Sequence, residues 1–312
     1  MSRAMIFPGQ GSQAVGMGRE LALAFQAARD VFGEVDEALK QNLSRLMWEG
    51  PDADLTLTEN AQPALMAVSQ AVVRVLAEQG NWHLGEKVAF VAGHSLGEYS
   101  ALAAAGSLSL GDTARLLKIR GRAMQKAVPV GQGAMAALLG VEIDMARQIA
   151  EEAAAGEVCA AANDNAPGQV VVSGSVAAVE RAMALAAAKG FRKSVLLPVS
   201  APFHCALMRP AADAMAEALA MVAMKAPVVP LVANVTALPT SDPAAIRDLL
   251  VAQVTATVRW RESVLLMRDK GVDSLVEAGS GKVLAGLAKR IDRDLAAVSL
   301  QTPADIESFL KD

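Results

Sequence analysis

Val88-Ala89-Phe90-Val91-Ala92-Gly93-His94-Ser95-Leu96-Gly97 passes from an unbroken apolar run into a serine flanked by glycines, and an alanine-rich stretch follows as far as Gly106. Five apolar residues without alternation read as a short strand buried on both faces, the kind found in parallel sheets. The alanine-rich segment reads as a helix. Between a buried strand and a helix, Gly93-His94-Ser95-Leu96-Gly97 satisfies the G-x-S-x-G elbow that exposes a serine nucleophile. A serine on so sharp a turn sits against neighbouring backbone, so flanking glycines remove clashes. The helix N-terminus also presents free N–H groups to a developing oxyanion.

Working outward, helical spacing places Leu21, Phe25, Ala28 and Phe32 on one face of residues 17–32, and Leu65, Val68, Val72 and Val75 on one face of a helix that starts at Pro63 and ends at Gly80. A further helix is expected from a cap at Asp112 to about Lys126. Residues 133–198 follow a different rhythm: strand 134–139, helix 143–154, strand 158–162, strand 170–173, helix 176–189, strand 194–197. The order β-α-β-β-α-β is that of a ferredoxin-like unit, here inserted into a larger α/β domain whose strands resume at 228–233 and 274–277. The expected division is 1–128 and 200–312 for the large domain and 129–199 for the small one.

Composition narrows the function classes. At 312 residues and 53% hydrophobic content the chain can bury a large core. No run approaches the length of a membrane span, and no secretory leader is visible, so a cytoplasmic protein is expected. With 29 basic against 33 acidic residues and no basic cluster interleaved with aromatics, nucleic acid is not an expected partner. Cys159 and Cys205 lack disulfide or metal spacing and are expected to be buried thiols.

A serine hydroxyl needs a base, and the chain has three histidines. His83 belongs to a surface loop beside Trp82, and His94 lies inside the elbow, badly placed to face the adjacent hydroxyl. His204, just before a helix, is the favoured base. Two phosphate motifs fail on detail. Gly9-Gln10-Gly11-Ser12-Gln13-Ala14 fits G-x-G-x-x-A, but the acidic residue expected for a ribose would be Asp30, within a helix. Gly279-Ser280-Gly281-Lys282-Val283 resembles a P-loop with Val276 at the first glycine and Val283 at the magnesium-binding hydroxyl. No metal site is expected.

Seven motifs then occur in an order that resembles the malonyl-CoA:acyl carrier protein transacylases of bacterial fatty-acid synthesis: Phe7-Pro8-Gly9-Gln10-Gly11-Ser12-Gln13, Glu59-Asn60-Ala61-Gln62-Pro63-Ala64, Gly93 to Glu98, Arg120-Gly121-Arg122-Ala123-Met124, Asn165-Ala166-Pro167-Gly168-Gln169, Pro202-Phe203-His204, and Gln253 ahead of Val258-Arg259-Trp260. The resemblance implies an α/β-hydrolase-like large domain carrying the ferredoxin-like one. It implies Ser95 as nucleophile and His204 as base, the N–H groups of Gln10 and Leu96 as oxyanion hole, and the main-chain carbonyl of Gln253 orienting the histidine.

Arg120 would grip the free carboxylate of malonate in a bidentate pair, although its neighbours Lys118 and Arg122 read as a solvated helix face. Gln62, Met124, Met135, Asn163 and Asn165 match positions near the family's active site, and Leu96 and Phe203 fit malonyl selectivity. The implied reaction is ping-pong transfer from malonyl-CoA to holo acyl carrier protein, by a monomer with no permanently bound cofactor. A serine hydrolase or thioesterase, and an acyltransferase of a polyketide or malonate pathway, are the alternatives.

Overall fold

The computed structural model describes residues 2–311. Its strands, in chain order, are β1 (Arg3–Phe7), β2 (Phe90–Gly93), β3 (Gly133–Leu139), β4 (Cys159–Ala166), β5 (Gln169–Ser175), β6 (Lys193–Leu196), β7 (Leu231–Val232), β8 (Pro239–Thr240), β9 (Ser274–Ala278) and β10 (Ala296–Leu300). One sheet runs β10-β9-β1-β2-β7-β8, parallel except where β8 turns back on β7. The second runs β4-β5-β3-β6 and is antiparallel throughout.

Why β1 is central follows from its residues. Ala4 to Phe7 are all 0% exposed. Met5 and Phe7 enter a core with Leu65, Val68, Leu96 and Tyr99, while Ala4 and Ile6 enter the opposite one with Trp260, Val264, Leu275 and Leu284. A strand with apolar side chains on both faces needs helices on both sides, which is the layered arrangement of a mixed α/β fold. The antiparallel sheet has its own core, in which Leu138, Val170 and Val172 meet Ile149 and Val179 of helices Ile143–Ala154 and Val176–Ala188.

Register shifts between Ala161 and Asn163 and between Asp164 and Ala166 bend β4. There it meets the other half of the molecule: Asp164 N–H donates to the Val258 carbonyl (2.9 Å), Val258 N–H to the Ala162 carbonyl (2.8 Å), and Arg261 pairs with Asp164. Such irregularities re-aim side chains, and Asn163 and Asn165 both turn into the central cleft.

Several boundaries differ from expectation. Phe25, extended at φ −127°, splits the first helix into Arg19–Ala24 and Gln26–Leu39. The helix expected from Pro63 begins at Thr58, with the proline inside it and Asn81 rather than Gly80 as its left-handed cap. Ser109, not Asp112, caps helix Leu110–Ala127, its hydroxyl accepting from Asp112 N–H at 3.1 Å. The strand expected over 228–233 shrinks to Leu231–Val232, since Pro230 lacks an N–H for the ladder. Cys205 is buried as expected, but Cys159 is only half-buried.

Candidate active site

The site stands at the C-terminal end of β2, where the chain must turn sharply enough to give Ser95 a left-handed backbone (φ 53°). The glycines make that turn possible. A Cβ on Gly93 would lie 1.9 Å from the Gly97 carbonyl, and one on Gly97 would lie 2.2 Å from the Phe7 carbonyl oxygen. Gly9 is also in close approach, since a Cβ there would sit 2.8 Å from the His94 carbonyl oxygen. The Gly9-Gln10-Gly11 loop is therefore pressed against the elbow, a use of its glycines that needs no nucleotide.

Backbone donors around the serine can be counted. His94 N–H donates to Phe7, Ser95 N–H to Asn234 Oδ1 (2.8 Å) and Gly97 N–H to the His94 carbonyl. The N–H groups of Leu96 and Gln10 find no acceptor among the described residues. Unpaired N–H groups beside the serine are what an oxyanion would require.

His204 Nε2 lies 2.8 Å from Ser95 Oγ, and His204 Nδ1 lies 2.9 Å from the Gln253 carbonyl oxygen. A carbonyl only accepts, so Nδ1 carries the proton and Nε2 offers its lone pair to the serine hydroxyl. Burial, reinforced by the nearby Arg120 charge, holds the His204 pKa down to about 3, which keeps the ring neutral. His94 faces elsewhere, its Nε2 2.8 Å from Asn165 Oδ1 and its ring tilted against Trp260. His83 is exposed, paired with Asn81.

Arg120 is 1% exposed. Helix Leu110–Ala127 can bring it in because Gly121 lets the helix lie against Glu59, where a Cβ would come 2.5 Å from the Glu59 Cα. Its Nη1 donates to Gln62 Oε1 (2.8 Å), and its Nη2 to Gln253 Oε1 (2.8 Å) and Ser95 Oγ (3.1 Å). Those acceptors are neutral, and Nε is buried without a partner among the described residues. Glu98 is close enough to interact with the guanidinium electrostatically without bonding to it, so Arg120 is left with no direct anionic partner among the described residues, an arrangement suited to receiving an anion. The reading of its neighbours as a solvated face holds for Arg122 but fails for Lys118, which is 8% exposed and donates to Gln41 and Asn60 while pairing with Glu59. Glu59 and the two amides satisfy that ammonium where it is buried.

A cleft of about 550 Å³ opens over these groups, lined by Gln10, Gln62, Leu96, Met124, Met135, Asn163, Asn165 and Phe203 together with Ser95, Arg120 and His204. Gln253 lies beneath, 1% exposed. Two polar residues with no role assigned from sequence complete the floor. Asn234, at the end of β7, accepts from Ser95 N–H and donates to the Gly93 carbonyl (2.7 Å); Glu98 accepts from Gln253 Nε2 (2.5 Å). The signal for Asn234 was its place just beyond a strand end, where sites in parallel sheets gather. The signal for Glu98 was a carboxylate at the start of an otherwise apolar helix. No cluster of three His, Cys, Asp or Glu residues suited to a metal occurs among the described residues.

Residues 4–295 match the model of the acyl transferase domain family. The malonyl CoA-acyl carrier protein transacylase of Escherichia coli K12 is 46% identical over 308 residues, covering 99% of this chain and 98% of that protein. The chain belongs to the malonyl CoA-acyl carrier protein transacylase family. Within this family, the Bacillus subtilis protein is 43% identical over 305 residues, 97% of this chain and 95% of its own. Among solved structures, the acyl-carrier-protein-S-malonyltransferase of Bartonella henselae superposes with a TM-score of 0.97 at 56% identity, covering 100% of this chain and 99% of its own. A malonyl-transacylase in complex with a type II PKS acyl-carrier protein superposes with a TM-score of 0.96 at 41% identity, covering 100% of this chain and 99% of its own. The family read from seven motifs is the family these relatives define.

Proposed function

We propose that the chain transfers malonyl from malonyl-CoA to the phosphopantetheine thiol of acyl carrier protein by a ping-pong acyl-serine mechanism, in fatty-acid biosynthesis. The observation that carries this reading is the convergence of Ser95 Oγ, His204 Nε2 and an Arg120 guanidinium bonded only to neutral groups.

His204 Nε2 takes the serine proton as Oγ attacks the thioester carbon, and the N–H groups of Gln10 and Leu96 hold the tetrahedral oxyanion. Arg120 holds the malonyl carboxylate, and Gln62, Met124, Met135, Asn163, Asn165 and Phe203 shape the cleft around the acyl group and its carrier. As the C–S bond breaks, the coenzyme A thiolate receives the proton from His204. In the second half the carrier thiol gives its proton to His204 and attacks the acyl-serine carbon, and Ser95 recovers its proton. The Gln253 carbonyl holds the imidazole in the required tautomer throughout.

Five parallel strands with the nucleophile after β2 support an α/β-hydrolase-like large domain, residues 1–128 and 200–312. The order β4-β5-β3-β6, with both helices on one core, supports a ferredoxin-like small domain over 129–199. Catalysis by side chains and backbone needs no bound cofactor, and a monomer in the cytoplasm with a soluble carrier suffices. No described helix is long and apolar enough to cross a membrane.

Intact mass after brief exposure to malonyl-CoA, acetyl-CoA and methylmalonyl-CoA tests the reading. A stable malonyl adduct that holo carrier protein discharges is expected. Rapid release of free acid, or no adduct, would overturn it in favour of a hydrolase.

A further inference from the structure

The Gln253 side chain joins three parts of the site. Its Oε1 accepts from Arg120 Nη2, and its Nε2 donates to the Ser95 carbonyl (2.9 Å), to Glu98 Oε2 (2.5 Å) and, more distantly, to Asn234 Oδ1 (3.3 Å). An amide has one accepting and one donating end, so its partners decide which way it lies. With Nε2 turned to Arg120, N–H would confront N–H, and the carbonyl would face three oxygens.

Glu98 is 1% exposed, and no guanidinium or ammonium lies within ion-pair distance of it among the described residues. Its other oxygen faces Asn234 N–H at 3.3 Å. Two donors therefore converge on two carboxylate oxygens. A glutamine at 98 would have to set its own NH₂ against one of them.

We propose that Glu98 is a positioning residue for acyl recognition: it fixes the Gln253 amide so that Oε1 holds Arg120 at the angle that presents the guanidinium to the acyl carboxylate. Glu98 touches neither acyl group nor nucleophile side chain and acts through Gln253. Because the Gln253 main-chain carbonyl, not its side chain, orients His204, Gln253→Ala removes the amide while leaving the base oriented. This inference rests on the malonyl reading above.

The test follows acylation of Ser95 by malonyl-CoA and by acetyl-CoA, using intact mass at quenched times, for the wild-type chain, Glu98→Gln, Gln253→Ala and the double variant. Absence of a malonyl adduct on the wild type would sink the malonyl reading itself, irrespective of Glu98. Given that adduct, the malonyl-to-acetyl rate ratio should fall at least about tenfold in each single variant, the scale of one charged hydrogen bond. The double variant should be no worse than the poorer single one within about threefold, as for two residues on one path. Equal losses for both donors in Glu98→Gln would reduce Glu98 to a structural carboxylate, and multiplying losses would remove Gln253 as its route; either result overturns the proposal. Should Glu98→Gln not fold, Gln253→Ala decides: a lowered ratio supports the link, and an unchanged one overturns it.

Discussion

His204 Nε2 and Ser95 Oγ stand 2.8 Å apart, and both residues hold left-handed backbone angles, φ 58° and 53°. Such angles cost of order 1–3 kcal/mol each in non-glycine residues and persist only where surroundings fix them. Asn234 fixes Ser95 through its N–H, and the Gln253 carbonyl holds the imidazole of His204. The pair is brought together by backbone that is strained at both ends.

That strain separates two variants of the proposed nucleophile. Ser95→Ala and Ser95→Gly should both lose malonyl labelling, because each lacks the hydroxyl. Only glycine relieves the left-handed angle, so Ser95→Gly should be the more stable by about 1 kcal/mol. Intact mass and urea unfolding measure both effects. Labelling of either variant would remove Ser95 from its role, and an alanine variant as stable as the glycine one would show that the turn carries no strain.

Loss of the proposed base has a different signature. His204→Ala should slow acylation about 10²- to 10⁴-fold, the range of general base catalysis. In the wild type, burial keeps the ring neutral down to about pH 3, so His204 should not impose the usual loss of rate near pH 6.5. Single-turnover acylation between pH 5 and pH 8 tests this. A rate governed by a group titrating near 6.5, and absent in His204→Ala, would contradict the buried, neutral ring.

Glu98 and His204 should pull stability in opposite directions with pH. Burial pushes the Glu98 pKa up to about 7 from an ordinary 4.5, so between these values the folded state binds the extra proton and stability falls as pH rises. His204 is pushed down to about 3 from an ordinary 6.5, so there the unfolded state binds the extra proton and stability falls as pH drops. Over the shared range the two oppose each other. Glu98→Gln should therefore uncover a decline in stability towards acid, and His204→Ala a decline towards neutral pH, each up to about 1.4 kcal/mol per pH unit. Urea unfolding at pH 5, 5.75 and 6.5 measures the slopes. Parallel curves for both variants and wild type would show that neither group is perturbed.

Local chemistry explains how much of this was legible in the sequence. The elbow could be read because its strand is apolar on both faces and its glycines have a steric purpose, and the β-α-β-β-α-β order because each element has its own periodicity. His204 could be reached by elimination among three histidines. Arg120, by contrast, lies three or four positions from buried Leu116, Leu117 and Met124, so helical spacing puts it on the inward face, but a long cationic side chain there can still reach out to water, and spacing alone did not mark its charge as buried. Only the motif did. Lys118 misled for the same reason, since the Gln41 and Glu59 that satisfy it lie far away in the chain. Asn234 and Glu98 act through contacts across 139 and 155 positions, beyond any local pattern.

Arg120 makes the sharpest prediction because it bears on specificity as well as rate. Malonyl differs from acetyl by one carboxylate, and the guanidinium that would receive it is buried, bonded to Gln62, Gln253 and Ser95 and to no anion. A charged hydrogen bond contributes about 1.5–3 kcal/mol, and a cation left facing a neutral acyl group adds a penalty against acetyl-CoA. Both effects disappear in Arg120→Ala. Its kcat/KM for malonyl-CoA should drop at least about tenfold, since 1.4 kcal/mol already corresponds to a factor of ten, while acetyl transfer holds or rises. Both values are measured for wild type and variant with carrier protein saturating. If the malonyl-to-acetyl preference survives the substitution, the carboxylate is held elsewhere in the cleft and the guanidinium serves only to brace Gln62 and Gln253.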